Sequence, residues 1–302
     1  MSAASSLTLP SAWNALVFAA IAAAWWVVRG MIGRREERAF EARFARRADG
    51  VIEGAESIRL DGTRAGAILL LHGYNDSPQA LASLAGELHR RGWSVRVPLL
   101  PGHGRTLPEF AASTAEDWIA VARHELNAVL ATHHEVAVGG LSMGGAISMV
   151  LAAKHPDVKA VVGFAPFLHA ALPLRLLVLA APIASLGGRY VWSGGGRSVH
   201  DPVAAAAMIA YGRSTPGLLV QLARVLRMAR AVLPRVRQPV LVLQSREDNR
   251  IPPEAAEEAF SRIGSTDKML HWTSGAGHVI TVDYGHEALE RLAADWLESR
   301  LA

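Results

Sequence analysis

The chain has 302 residues, 51% of them hydrophobic, with a formal net charge of +4 and no cysteine. That apolar content argues against a disordered chain, and the missing cysteine excludes disulfides, thiolate metal sites and a cysteine nucleophile. The basic charge is almost wholly arginine and forms no stripe interleaved with aromatics, so no nucleic-acid partner is expected.

From Met1 to Val28 there is no charged side chain, and Leu7 to Val28 is dense in Ala, Val, Leu, Ile and Trp. As a helix those 22 residues span roughly 33 Å, the thickness of a bilayer core. Trp13 stands near one end and Trp25 and Trp26 near the other, where indole rings prefer the headgroup boundary. Arg29, Arg34, Arg35 and Arg38 follow at once. The positive-inside rule then predicts a single-pass cell-membrane anchor, with the N-terminus outside and the rest of the chain on the cytoplasmic side. Two alternatives stay open. A cleaved signal peptide would use Ala22-Ala23-Ala24 but lacks a basic n-region. A helix packed on the globular part would not need the tryptophan and arginine flanks. Residues 34–50 read as a charged helix with Phe40 and Phe44 four apart, a stalk or a brace.

Ala67-Ile68-Leu69-Leu70-Leu71 is an apolar run expected as a strand buried on both faces. A turn, His72-Gly73-Tyr74-Asn75-Asp76-Ser77-Pro78, leads into a helix from Pro78 to about Arg91. Ser94–Pro98 is the next strand and Pro101–Gly104 a turn. Thr114-Ala115-Glu116-Asp117 opens a helix with a capping-box pattern, to about Thr132.

Glu135-Val136-Ala137-Val138-Gly139 reads as a strand and Gly145–Ala153 as a helix, with Gly140-Leu141-Ser142-Met143-Gly144 between them. A G-x-S-x-G at a strand-to-helix junction is a nucleophile elbow, a strained turn that lifts the serine hydroxyl clear of its backbone. Ala160–Phe164 is a further strand. Alternation then fails over about 165–237, which holds the apolar run 172–186, a cluster at Gly194-Gly195-Gly196 and a helix-like run from Pro216 to Leu233. This insertion is read as a lid over the strand ends, with ordinary packing helices as the alternative. Pro239–Gln244 and Met269–Trp272 are strands, and Gly285–Leu301 a helix. The whole predicts an α/β fold, a mostly parallel sheet with helices on both faces. It divides the chain into an anchor (1–30), a juxtamembrane charged segment (31–65) and a larger domain (66–302).

A serine hydroxyl needs a base to take its proton and a third group to hold that base. Asp248 follows the strand 239–244 and His278 follows 269–272, in a glycine-rich loop, in the chain order serine, acid, histidine. Ser142, Asp248 and His278 are therefore the predicted triad, with Glu247 and Asp201 as weaker candidates for the acid. His72 and His103 are expected to be structural or orienting, and His124, His133, His134 and His155 solvated. The backbone N–H groups of Met143 and Tyr74 are the expected oxyanion donors. There is no cluster of His and carboxylates at metal-ligand spacing and no phosphate loop.

Four segments carry a resemblance: Leu70–Tyr74, Pro101-Gly102-His103-Gly104, Gly140–Gly145, and Gly277-His278-Val279-Ile280-Thr281-Val282-Asp283. Over about residues 66–301 the chain resembles the serine carboxylesterases and monoacylglycerol lipases of the α/β-hydrolase superfamily. The resemblance implies hydrolysis of short to medium acyl esters or monoacylglycerols without a cofactor. It also implies Asp248 as the acid and Tyr74 and Met143 as oxyanion donors. A small-molecule or lipid ester is the expected substrate and the membrane the expected partner. A thioesterase or amidase with the same triad, or a non-catalytic binding relative, remains open. Dehalogenase and epoxide-hydrolase chemistry is disfavoured, because those relatives place aspartate where Ser142 stands.

Overall fold

The computed structural model describes residues 12–169, 175–176, 178–181, 188–193 and 198–301. In chain order the elements are α1 (Ala12–Glu41), β1 (Ile58–Leu60), β2 (Gly66–Leu71), α2 (Ala82–Arg90) and β3 (Ser94–Val97). Then come α3 (Leu107–Ala112), α4 (Ala115–Leu130), β4 (Glu135–Leu141), α5 (Met143–Ala152) and β5 (Val158–Phe164). After β6 (Val191–Trp192), α6 (Pro202–Ala207), β7 (Arg213–Ser214) and α7 (Pro216–Val232) follow β8 (Val240–Ser245), α8 (Pro253–Ser261), β9 (Lys268–Thr273) and α9 (His286–Glu298).

Seven strands form one sheet in the order β1-β3-β2-β4-β5-β8-β9, and β6 and β7 form a separate two-stranded ribbon. Every pairing in the large sheet is parallel except β1 with β3 at the edge. Parallel strands need both faces covered, and β2 is the example. Leu69 and Leu71 enter one core with α4, α5 and α7, whereas Ile68 and Leu70 enter the other with α2 and α9. This is the α/β-hydrolase fold, a mostly parallel sheet with flanking helices.

Two expectations change. The charged stretch 34–50 is not a helix of its own: α1 runs unbroken to Glu41. The helix gives way to a turn in which the Arg43 N–H donates to Phe40 O at 3.1 Å, and the chain then doubles back at Asp49-Gly50, where Gly50 has φ 81° and the Arg47 N–H donates to Val51 O at 2.9 Å. Upstream of residue 66, Val51, Ile52 and Ala55 are buried in the core and β1 pairs with β3, so these residues pack with the sheet despite their charged surroundings.

Along α1 the large apolar side chains from Trp13 to Ile32 are mostly exposed, including Trp13, Phe18, Trp26 and Ile32. Burial begins at Gly33 and returns at Phe40. Within the 165–237 stretch, α7 buries Leu218, Leu222, Val225 and Ala229 in the core shared with α5, as a helix that covers the sheet. Most of the apolar run 172–186 and the cluster Gly194–Gly196 lie outside the described residues.

Candidate active site

The loops after β2, β4, β5, β8 and β9 all leave the same, C-terminal edge of the sheet, the edge at which open α/β sheets bind ligands. Among the described residues, the non-glycine positions with φ above zero are Asn75 after β2, Ser142 after β4 and Ala165 after β5. Backbone strain of this kind collects where the surrounding structure imposes it.

Ser142 has φ 52° and ψ −112° at the junction of β4 and α5. The turn needs glycine on either side, since a Cβ on Gly140 would lie 2.5 Å from the Leu71 carbonyl oxygen and one on Gly144 only 1.9 Å from it. The backbone of Ser142 is pinned twice across the sheet edge. Its N–H donates to Phe164 O at 2.9 Å, and its carbonyl accepts from the Phe167 N–H at 2.9 Å.

The structure brings Ser142, His278 and Asp248 into one hydrogen-bonded line. His278 Nε2 is 2.8 Å from Ser142 Oγ, and His278 Nδ1 is 2.8 Å from Asp248 Oδ2. The Asp248 side chain is wholly buried. Burial opposes its charge, but His278 and the N–H groups of Arg250 and Ile251, at 2.7 and 3.0 Å, more than offset it. Its pKa therefore lies below the ordinary carboxylate value. An ionised Asp248 makes Nδ1 the protonated nitrogen and leaves Nε2 to accept from the serine hydroxyl. Such a line can activate a hydroxyl for attack on a carbonyl carbon.

The other candidate acids are engaged elsewhere. Glu247 Oε2 accepts the Gly275 N–H at 2.6 Å, and Asp201 caps α6 through Val203 N–H at 2.8 Å. Glu247 and Ser245, whose hydroxyl donates to Ala276 O at 2.5 Å, staple the acid loop to the histidine loop.

Met143 is the first residue of α5, so its N–H is one of the donors left free of an intrahelical partner. The loop bearing Tyr74 lies against the nucleophile: a Cβ on Gly73 would be 3.6 Å from Ser142 Cβ. His72 locks that loop to the segment after β3. Its Nε2 accepts the Leu100 N–H at 3.1 Å, so Nδ1 carries the proton and donates to Gly73 O at 2.9 Å. Burial keeps His72 neutral, with a pKa of about 4. His103 is held neutral by burial and packs edge-on against His72, Phe110 and Trp118. His124, His133, His134 and His155 lie away from this edge, on or just after α4 and just after α5.

Several site residues escape the sequence reading. Gln244 Nε2 donates to Asp248 Oδ2 at 2.7 Å. Asp283 accepts the N–H groups of Gly277 and His200 on Oδ2 and of Asp201 and Tyr284 on Oδ1. Asn75 Nδ2 donates to Ser193 Oγ at 2.6 Å, and the hydroxyls of Tyr74 and Ser214 are hydrogen-bonded. In the sequence, Asp283 figures only as the end of the segment Gly277–Asp283 that carries the resemblance, with no role assigned to it. Among the described residues no group of His, Asp and Glu is arranged to hold a metal ion.

Residues 62–284 match the family described as serine aminopeptidase, S33, a stretch that includes Ser142, Asp248 and His278. The chain is 30% identical over 234 residues to the thermostable monoacylglycerol lipase of Bacillus sp. (strain H-257), covering 78% of this chain and 90% of that one. It is 26% identical over 234 residues to a carboxylesterase of Bacillus subtilis (strain 168), covering 77% and 92%. A solved structure of a metagenome-derived lipolytic enzyme superposes with a TM-score of 0.76 at 30% identity, over 82% of this chain and 99% of that one.

Proposed function

The chain belongs to the serine aminopeptidase S33 family and is a hydrolase of the esterase/lipase group, and from that premise we propose that it cleaves carboxylic esters through an acyl-enzyme intermediate. In this reading Ser142 Oγ attacks the ester carbonyl while His278 Nε2 takes its proton. Asp248 holds the imidazole in the required tautomer and stabilises the imidazolium that forms. The N–H groups of Met143 and Tyr74 receive the charge that develops on the carbonyl oxygen. His278 then protonates the leaving alcohol, and water repeats the sequence to release the acid. The observation that carries this is the Ser142–His278–Asp248 line, with both links at 2.8 Å.

The substrate proposed is a monoacylglycerol or another acyl ester of short to medium chain, supported by the lipase among the relatives. The apolar residues of α1 are proposed as a single membrane pass, with the sheet domain and the residues from Val51 that pack with it on the cytoplasmic side. Support comes from the exposed apolar run up to Ile32 and the arginines that follow it. A retained anchor is preferred to a cleaved signal, because α1 continues without a break into the turns that dock on the domain.

The test is labelling with a fluorophosphonate probe, followed by turnover of p-nitrophenyl esters, monoacylglycerols, thioesters and amides of graded acyl length. Labelling that disappears in Ser142→Ala, with ester turnover well above amide turnover, is the expected result. A protein that reacts with neither probe nor ester is not a serine hydrolase.

A further inference from the structure

The last turns of α1 grip the ribbon made by β6 and β7. Gly33, Glu36, Glu37 and Phe40 recur at helical spacing on one face. Glu37 Oε1 accepts the Tyr190 hydroxyl at 2.7 Å and lies 3.1 Å from Arg189 Nη1, just before β6. Glu36 Oε1 is 3.4 Å from Arg213 Nε, on β7. The Phe40 ring stacks on Tyr211, with centroids 4.8 Å apart and planes 9° from parallel. A Cβ on Gly33 would come within 3.0 Å of Arg189 Cδ, so the arginine stem lies directly on the helix.

The same ribbon and its flanks hold the loops at the strand ends. The Tyr211 N–H donates to Asn75 O at 3.2 Å, and Asn75 Nδ2 donates to Ser193 Oγ at 2.6 Å. Ser214 is bonded to the Tyr74 hydroxyl. On the acid side, Arg250 Nη2 donates to Ser193 O at 2.8 Å, while its N–H donates to Asp248 Oδ1. The ribbon itself has only two residue pairs, Val191 with Ser214 and Trp192 with Arg213. So short a ribbon does not hold its own position, which is set by what it touches.

Resting on the ester-hydrolase reading, we propose that Glu36, Glu37 and Phe40 are positioning residues for the active site: they clamp the β6–β7 ribbon so that it holds the Tyr74–Asn75 loop in register with Ser142. The family match begins at residue 62, so this clamp is built from a helix outside the shared domain. Its consequence is mechanical. The helix read as the membrane anchor and the oxyanion loop are joined through one small ribbon, so the seating of the helix acts on the rate.

The test uses the full-length protein in detergent micelles, with Glu37→Ala and with the exchange Glu36→Arg and Arg213→Glu, singly and together. The readouts are kcat and KM on a p-nitrophenyl ester, the rate of fluorophosphonate labelling at Ser142, and Tm. Outright loss of an oxyanion donor costs about 10²–10³ in kcat, so a loosened loop is expected to cost about five- to ten-fold. That loss should appear in both kcat and labelling rate, with KM changed less than about two-fold and Tm little altered, because the missing contact acts only in the transition state. The double exchange should recover most of what either single charge change loses. Unchanged rates in all variants overturn the proposal. So does a double exchange no better than the product of its singles, or a rate loss that merely tracks a fall in Tm. A wild type that labels at Ser142 but turns over no ester would sink the ester reading alone, and the clamp would then stand or fall on the labelling rates.

Discussion

Asp283 Oδ2 accepts the Gly277 N–H at 2.7 Å, which ties the residue before His278 to a carboxylate that also binds the His200 N–H at 2.8 Å. One buried side chain thereby joins the loop of the candidate base to the segment entering α6. Four backbone donors share its two oxygens, and although burial opposes the charge, they hold its pKa below the ordinary carboxylate value.

Asp283→Ala would leave those donors without a partner. Each buried orphan costs about 1–3 kcal/mol, so the variant should lose about 3 kcal/mol or more by urea denaturation. Activity should fall further than stability alone accounts for, because the His278 loop is no longer held against the sheet. Wild-type stability in this variant would mean that water replaces the carboxylate and that the loop is held by other contacts.

Ser142→Ala and His278→Ala should each lower kcat by about 10⁴-fold or more, and Asp248→Asn by somewhat less. The losses should not multiply, because the three groups act as one unit. A Ser142→Ala protein retaining several per cent of ester turnover would place the nucleophile elsewhere. If Glu247→Gln proved more damaging than Asp248→Asn, the acid would move by one residue, against the hydrogen bond of Glu247 to Gly275.

Asp76, in the same loop as Tyr74, predicts an opposite pH response to that of Asp248. Burial pushes the Asp76 carboxyl up to about 7, only partly offset by the Ser77 N–H at 2.8 Å. Unfolded, it ionises near pH 4, so between about pH 4 and 7 the folded chain keeps a proton that the unfolded chain has lost. Stability therefore falls as pH rises through that window, by up to about 4 kcal/mol, and levels off above it. Asp248 works the other way: its stabilising contribution is present above about pH 4 and is lost as pH falls through its depressed pKa. Asp76→Asn should thus raise Tm at pH 8.5 far more than at pH 4.5. An equal change at both values would show that the Asp76 charge is not what the fold resists.

The positions of most large strands were legible because β2, β5 and β8 are largely apolar runs bounded by turn residues, whereas their order and register, set by pairings between distant segments, were not. The elbow was legible because it stands between such a run and a helix. Three kinds of element were not. β1, β6 and β7 have only two or three residues each, too few for any periodicity to register. The short helices α3 and α8 begin at or beside proline, so Leu107-Pro108 and Pro252-Pro253 read as loop; of the two, only α3 has a side-chain cap, from Thr106. Contacts such as Gln244 with Asp248, or Glu37 with Tyr190 across 153 positions, leave no local pattern at all. The charge of residues 34–41 also concealed a docking face, because only Gly33 and Phe40 in that stripe are apolar enough to signal burial.

The N-terminal helix can be divided by truncation at two points. Removing residues 1–30 deletes no fully buried side chain among the described residues and leaves Gly33, Glu36, Glu37 and Phe40 in place. That protein should fold, leave the membrane fraction and keep its kcat on a small water-soluble ester. Its rate on long-chain monoacylglycerol in vesicles should fall, because the helix no longer confines it to the surface where such substrates collect. Removing residues 1–44 takes away Phe40 as well, a buried ring whose truncation alone costs about 3–5 kcal/mol. It also frees the ribbon from Glu36 and Glu37. That shorter protein should show a lower Tm and a kcat on the soluble ester reduced about ten-fold, in proportion to the loosened oxyanion loop. Equal kcat for the two truncations would mean that α1 serves the membrane alone, whereas loss of activity already at residue 30 would make its exposed apolar stretch part of the fold.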